Sequence, residues 1–443
     1  YSTRGDKQAY TASQAILQGL AKDGGLFVPD ALPKLDKTME ELSAMDYKEV
    51  AYEVMKQFLT DFTEDELKAC IAKAYDEKFD TEEIAPLREA DGVYYLELFH
   101  GATIAFKDMA LSLLPHLMTL SLKQLKEDRE VMILAATSGD TGKAALEGFK
   151  DVEGTCIKVF YPLDGVSAIQ QQQMVSQEGK NVKVVGIHGN FDDAQSAVKV
   201  AFGDKMLKEV SDQHHVFLSS ANSINVGRLI PQIVYYFHSY FELVRNKEIE
   251  MGDQVNFCVP SGNFGNITAG LFGKKMGLPV KRFIAANNRN DIFYQYLQTG
   301  KYNSRPSIAT IANAMDVGDP SNFARVLDLY SGSHADISAE ISGTTYTDEQ
   351  IRETVKETWK EHHYLLDPHG ACGYRALVEG LKEGETGVFL ETAHPAKFLE
   401  TVESIIGEAV EIPAKLQEFM KGEKKSLQMT KDFADFKKYL LTL

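Results

Sequence analysis

From Tyr94 onward the chain alternates short apolar runs with longer amphipathic stretches, and this alternation restricts the fold more than any other feature. The runs Tyr94–Leu98, Val131–Ala136, Cys156–Tyr161, Val182–Ile187, Val216–Leu218, Val255–Val259, Val280–Ala285 and Val388–Leu390 have the length and composition of strands. Between them, Asp108–Lys126, Phe191–Val210, Val226–Val244 and Ile267–Met276 carry apolar residues at helical spacing. Strands separated by helices pair in parallel, so the pattern predicts an α/β fold with parallel-rich sheets flanked by helices. Ligands of such folds sit at the carboxyl ends of the strands. Residues 1–93 read differently. Tyr47–Leu59 and Glu64–Tyr75 have helical spacing and Pro29 and Pro33 punctuate an early loop, which predicts a small helical N-terminal domain or an arm wrapping the rest. With 443 residues the chain exceeds one ordinary core, so two or three domains are expected.

Charge and cysteine usage narrow the function. A formal net charge of -17 repels nucleic acid and anionic membrane surfaces, so neither is expected as a partner. An anionic ligand of such a chain needs a local cationic pocket. No apolar run is long enough to cross a bilayer, and Tyr1 to Gln8 lack the apolar core of a secretory signal. The four cysteines, Cys70, Cys156, Cys258 and Cys372, are far apart, which argues for a reducing compartment and a cytoplasmic location. Cys156 and Cys258 lie in apolar runs and are expected in the core. The His pairs at 214–215 and 362–363 lack a metal-ligand context, and no metal is expected.

Five segments carry chemistry-bearing residues just after strands. In the first, Leu96–Asp108, a strand and a Gly-containing turn bring Lys107 to the head of a helix, beside Phe106 and with Asp108 as the expected N-cap. Desolvation and the positive helix end both lower a lysine pKa and favour the neutral, nucleophilic amine. The second, Thr137-Ser138-Gly139-Asp140-Thr141-Gly142, is rich in hydroxyls and glycine and opens a helix, the setting of an anion site; it is not a Walker loop, since Thr137 stands where the first Gly belongs. The third, Pro260–Asn266, is a second Gly-rich turn into a helix and offers a cradle of backbone amides for a phosphate. In the fourth, a buried strand delivers Thr392 and His394 to its end before Pro395 begins a helix; Thr392 reads either as an N-cap or as a neutral hydroxyl facing a ring nitrogen. The fifth, Ser219–Arg228, combines amides, hydroxyls and one Arg, which suits a phosphate monoester. Taken singly each segment has a bland reading, as a solvated lysine, a capped helix or a surface arginine. Their coincidence in one α/β chain is far rarer.

Together these segments resemble the threonine synthase family, of the tryptophan-synthase-like fold type II of pyridoxal-phosphate enzymes. The resemblance runs nearly end to end. It includes Ser2–Gly5, Gly19–Leu26, Phe99–Asp108, Thr137–Gly142, Ser219–Arg228, Ser261–Asn266, Asn313–Val317, Asp367-Pro-His-Gly370 and Thr392–Phe398. Ala102 stands where many relatives have Pro, and Asp140 replaces the Asn of other members of the fold. The resemblance implies pyridoxal 5'-phosphate held as a Schiff base on Lys107, which then acts as the acid and base of the reaction. It implies a cofactor site of Phe106, Lys107, Asp140, Gly262, Asn263, Phe264, Gly265, Asn266 and Thr392. Thr137, Ser138 and Thr141 are implied for the substrate carboxylate, and Asn222, Ser223 and Arg228 for its phosphate. The implied reaction takes O-phospho-L-homoserine and water to L-threonine and phosphate, with a phospho-lyase giving 2-oxobutyrate as the alternative. The corresponding domains are residues 1–93 as the helical part, 94–130 with 231–443 as the large cofactor-binding part, and 131–230 as a small mobile part. The short N-terminal part argues for a monomer.

Overall fold

Local capping rules start the N-terminal helices. Thr11, Thr38, Asp46 and Thr63 each accept a bond from the amide three residues on, and Gln14, Glu41, Glu49 and Glu66 return one to the capping residue. The computed structural model describes residues 1–422 and 424–442. The helices Tyr47–Met55 and Glu64–Ala74 bury Val50, Val54, Met55, Leu67 and Ile71 in the same core as the long helix Val226–Arg245. The expected helical part is therefore present, but it shares a core with the rest instead of forming its own.

Eleven strands among the described residues form two sheets. In chain order they are β1 (Leu87–Ala90), β2 (Val93–Glu97), β3 (Glu130–Ala136), β4 (Thr155–Pro162), β5 (Val182–His188), β6 (Val216–Ser220), β7 (Val255–Pro260), β8 (Val280–Asn287), β9 (Ile341–Thr345), β10 (Thr386–Glu391) and β11 (Leu427–Thr430). One sheet runs β1-β2-β10-β7-β8-β9 and is parallel except for the β1–β2 hairpin. The other runs β11-β5-β4-β3-β6 and is parallel throughout. All eight expected strands are present, and β7 and all but the first residue of β3 and of β10 are buried, as parallel strands covered on both faces must be.

Four boundaries differ from expectation. The strand β11 pairs with β5, so the C-terminus returns to the sheet of residues 131–230 instead of staying with 231–443. Likewise β1 and the start of β2 place residues 87–93 in the larger sheet. The stretch Asp108–Lys126 is two helices, Asp108–Leu111 and Leu114–Leu125, because Pro115 near the start of the second lacks the amide that would continue the first. Phe191–Val210 divides at Asp204, whose side chain accepts from the Leu207 amide and caps a new helix, Lys205–Gln213. Cys258 is fully buried as expected, whereas Cys156 is only half-buried. No described helix is long and apolar enough to cross a membrane.

Candidate active site

The carboxyl ends of β3, β6, β7 and β10 converge on one cavity. Its walls include Phe106, Lys107, Ser138, Thr141, Asn222, Ser223, Arg228, the loop Pro260–Asn266 and Thr392. Thirteen of the fifteen residues expected at the site line this cavity; Thr137 and Asp140 are engaged elsewhere.

Lys107 is held by the turn that precedes it. The Phe106 amide donates to the Thr392 carbonyl at 2.7 Å, and the His394 amide to the Ile104 carbonyl at 3.0 Å, so the turn is stitched to the segment after β10. Ile104 has φ of 53°, a left-handed conformation that a β-branched residue adopts only under constraint. Asp108 is not the N-cap that the sequence predicts. Its buried carboxylate accepts from the Thr103 amide at 2.8 Å and the Thr103 hydroxyl at 2.7 Å, bracing the loop from below. The Lys107 Nζ stands 4.2 Å from the Phe106 ring centroid. Burial, and then the Arg228 guanidinium, lower its pKa from 10.5 to about 7, while Asp140 acts in the opposite sense. At neutral pH a large share of Lys107 is therefore the free amine.

The loop after β7 has the geometry of a phosphate cradle. Phe264 takes φ of 64° and the helix Gly265–Lys275 follows with no side-chain cap, leaving its first amides for a ligand. A Cβ on Gly262 would lie 2.8 Å from the Met315 Cα, and one on Gly265 would lie 3.2 Å from the Ser223 Cβ. Gly262 is thus required by close approach to backbone, and Gly265 is tightly packed. Asn263 fixes the loop by donating to the Ser223 hydroxyl at 2.8 Å and accepting from the Ser321 amide at 2.7 Å. The Asn266 Oδ1 accepts from the hydroxyls of Tyr235 and Tyr236, while its buried Nδ2 has no protein partner. An orphaned donor at the end of an amide-lined turn fits an anionic ligand. Thr392 contributes an uncharged hydroxyl; the cap of the following turn Pro395–Phe398 is His394, not Thr392. A nucleophilic lysine, an uncharged phosphate cradle and a neutral hydroxyl suit pyridoxal phosphate.

The remaining expected residues divide by what their side chains already do. Thr137 is completely buried, and its hydroxyl accepts from the amides of Gly139 at 2.9 Å and Gly142 at 2.8 Å. It shapes the turn and does not itself line the cavity. Ser138 and Thr141 face the cavity. Asp140 pairs with Lys397 at 2.9 Å and accepts from Gln170 at 3.0 Å, and it too stands outside the cavity wall. Asn222 clamps the end of β3, accepting from the Ala136 amide at 2.9 Å and donating to its carbonyl at 2.5 Å. Ser223 belongs with the cradle, accepting from Asn263 and from Asn322. Arg228 brings the one formal positive charge of this trio, with a donor to spare. One of its Nη atoms donates to the Ala221 carbonyl at 2.7 Å, and its buried Nε has no protein partner. Burial lowers its pKa to about 10, so it remains cationic at neutral pH.

The sequence did not single out His369 or Gln232 as site residues, yet both line the cavity. His369 pairs through Nδ1 with Asp367, and its Nε2 accepts from the Ala314 amide at 3.0 Å. It thereby holds residues 314–315 against Gly262. The Asp367-Pro-His-Gly segment was a visible signal, but without a partner in sequence its role was not readable.

Three family models match the chain: threonine synthase N terminus over residues 1–75, pyridoxal-phosphate dependent enzyme over 79–392, and threonine synthase C-terminal over 370–440. The threonine synthase of Haemophilus influenzae is 37% identical over 443 residues, covering 100% of this chain and 99% of the relative. That of Saccharomyces cerevisiae is 32% identical, covering 89% of this chain and 86% of the relative. The crystal structure of threonine synthase from Escherichia coli superposes with a TM-score of 0.90 at 37% identity, over 100% of this chain and 99% of that one. The pyridoxal-phosphate-bound threonine synthase of Brucella melitensis superposes with a TM-score of 0.87 at 34% identity, over 100% of this chain and 98% of that one.

Proposed function

The chain belongs to the threonine synthase family of pyridoxal-phosphate-dependent enzymes, and from that premise we propose that it converts O-phospho-L-homoserine and water to L-threonine and phosphate. The observation that carries this reading is that one cavity holds a lysine of pKa about 7, an uncharged phosphate cradle and a separate buried arginine. The substrate phosphate and the cofactor phosphate need two sites, and these residues supply two.

Bound pyridoxal phosphate supplies the electron sink for the carbanionic steps. The amides of Gly262–Asn266 would hold its phosphate, and the Thr392 hydroxyl would serve its ring nitrogen. Lys107 would carry it, and its amine takes and returns protons at Cα and Cβ of the substrate. Ser138 and Thr141 bind the substrate carboxylate. Arg228 binds the substrate phosphate and stabilises the charge that builds on it as the bond to Cγ breaks. Water is added at Cβ after phosphate leaves, so the site excludes water early and admits it late, which calls for movement of the sheet of residues 131–220 against the larger one.

A product assay tests the reading. Holoenzyme given O-phospho-L-homoserine is expected to release L-threonine and phosphate in equal amounts. Accumulation of 2-oxobutyrate in place of threonine would instead make the chain a phospho-lyase on the same substrate.

A further inference from the structure

The turn before Lys107 and the helix Asp140–Phe149 are tied together by one buried ion pair that takes no part in the proposed reaction. Asp140 is 3% exposed and Lys397 is fully buried, and their charged atoms are 2.9 Å apart. The Lys397 Nζ also donates to the Thr103 carbonyl at 3.0 Å. Thr103 in turn donates to Asp108, the residue after Lys107. Stability alone is a weak reason for such a pair, because apolar replacements of buried ion pairs are often as stable.

Its position gives a better reason. Asp140 opens the helix Asp140–Phe149, where the positive end of the dipole favours an anion. Burial works against that charge, but Lys397, with smaller help from His369 and Gln170, brings the Asp140 pKa below the ordinary carboxylate value. The Asp140 charge also reaches Lys107 and favours the ammonium form there, against burial and Arg228. An ammonium has no lone pair with which to bond the cofactor. We propose that Lys397 is a positioning residue that occupies the Asp140 carboxylate, so that Asp140 does not pair with Lys107 and the Lys107 amine stays nucleophilic. The proposal rests on Lys107 being the cofactor-bearing lysine.

The test is the pH midpoint at which Lys107 reacts with trinitrobenzenesulfonate in the full chain freed of cofactor, read by mass spectrometry of the Lys107 peptide. Wild type is expected near 7. Lys397→Met removes the ion-pair partner of Asp140, so that its charge acts on Lys107 less compensated, and is expected to raise the midpoint by about one unit, the scale of an opposite charge at close range. Asp140→Asn leaves the Lys397 cation unbalanced and is expected to lower it. The double variant is expected to fall between the two. Shifts of both single variants in the same direction, or a double variant that stays with Lys397→Met, overturn the proposal, because a merely structural role loosens the site alike in either variant. Should Lys397→Met not fold, Lys397→Gln, which keeps a donor for Asp140 and the Thr103 carbonyl but removes the charge, decides in its place: a raised midpoint supports the proposal, and an unchanged or lowered one overturns it. Peptide mapping of borohydride-reduced wild-type holoenzyme stands apart from these midpoints. Cofactor recovered on another lysine refutes the assignment of Lys107 itself.

Discussion

A Cβ placed on Gly262 would lie 2.8 Å from the Met315 Cα and 2.9 Å from the Ala314 carbonyl oxygen. Both obstacles are backbone, and His369 holds that backbone in place through the Ala314 amide. Neither side can yield cheaply. Gly262→Ala is therefore expected to displace the cradle and weaken cofactor binding at least about tenfold, with a stability loss of about 1–3 kcal/mol from overpacking. Equilibrium dialysis of cofactor and a thermal melt measure the two effects. Wild-type cofactor affinity in this variant would show that the phosphate is held elsewhere.

Lys107→Ala is expected to abolish the absorption band of lysine-bound cofactor and its bleaching by borohydride. The claim is specific because the other lysines near the turn are engaged: Lys143 is buried against Phe419 and bonded to Gln177 and Glu147, Lys397 is held by Asp140 and the Thr103 carbonyl, and Lys415 by the carbonyls of His100 and Gly101. A reducible band that survives in Lys107→Ala and disappears in a Lys143 variant sinks the assignment.

The two carriers of this site differ in how far sequence could reveal them. That Lys107, Gly262 and Thr392 would meet at one cavity was legible because each lies in a segment that follows a strand, and strands follow from apolar periodicity. The network Asp140–Lys397 was not. It joins residues 257 positions apart, and nothing in the neighbourhood of Lys397 distinguishes it from a solvated lysine. The part Thr137 plays within its turn was hidden for a related reason: a hydroxyl in a Gly-rich turn serves a ligand or the turn's own amides, and only the fold shows that the Gly139 and Gly142 amides donate to it. The missed strand β11 is short and largely exposed, so it lacks the apolar run that marked the others.

The depressed pKa of Lys107 has a consequence for stability. Below about pH 7 the lysine is protonated in both folded and unfolded chains, and folding carries the full cost of burying an ammonium. Between 7 and 10.5 the unfolded chain binds the extra proton, so this contribution rises with pH through that window and is then complete. In cofactor-free protein Lys107→Met should accordingly be more stable than wild type at pH 6 by about 1 kcal/mol or more. The difference should shrink as pH rises from 7 towards 10. Taking the difference between the two proteins removes the buried tyrosines, which titrate alike in both. A stability difference constant from pH 6 to pH 10 would mean that Lys107 has an ordinary pKa.

Thr392 is tested through its side chain alone, since its carbonyl already serves the Phe106 amide. Thr392→Ala keeps that backbone bond and should weaken cofactor binding by about 1 kcal/mol, the worth of one neutral hydrogen bond. Thr392→Ser should restore most of it. Unchanged affinity in the alanine variant would leave the ring nitrogen without this partner.

Arg228 is buried at the cavity, yet only its bond to the Ala221 carbonyl is satisfied by protein, which leaves the rest of the guanidinium for a ligand. In a chain of net charge -17 a substrate dianion needs such a cation. The cradle Pro260–Asn266 contains none, which is why the proposed reading gives the substrate phosphate to Arg228. A charge-assisted bond contributes roughly 1.5–3 kcal/mol, part of it gained only as charge builds on the leaving phosphate. Arg228→Ala should keep its cofactor and lose at least about tenfold in kcat/KM, and Arg228→Lys should recover part of that, since a point charge lacks the planar fork. The same substitution has a second signature. Arg228 helps to lower the Lys107 pKa, so its removal should raise the pH at which Lys107 in cofactor-free protein becomes reactive, and Arg228→Lys should reverse the change. An Arg228→Ala enzyme that loses its cofactor but turns over substrate normally once cofactor is resupplied would place Arg228 at the cofactor phosphate instead.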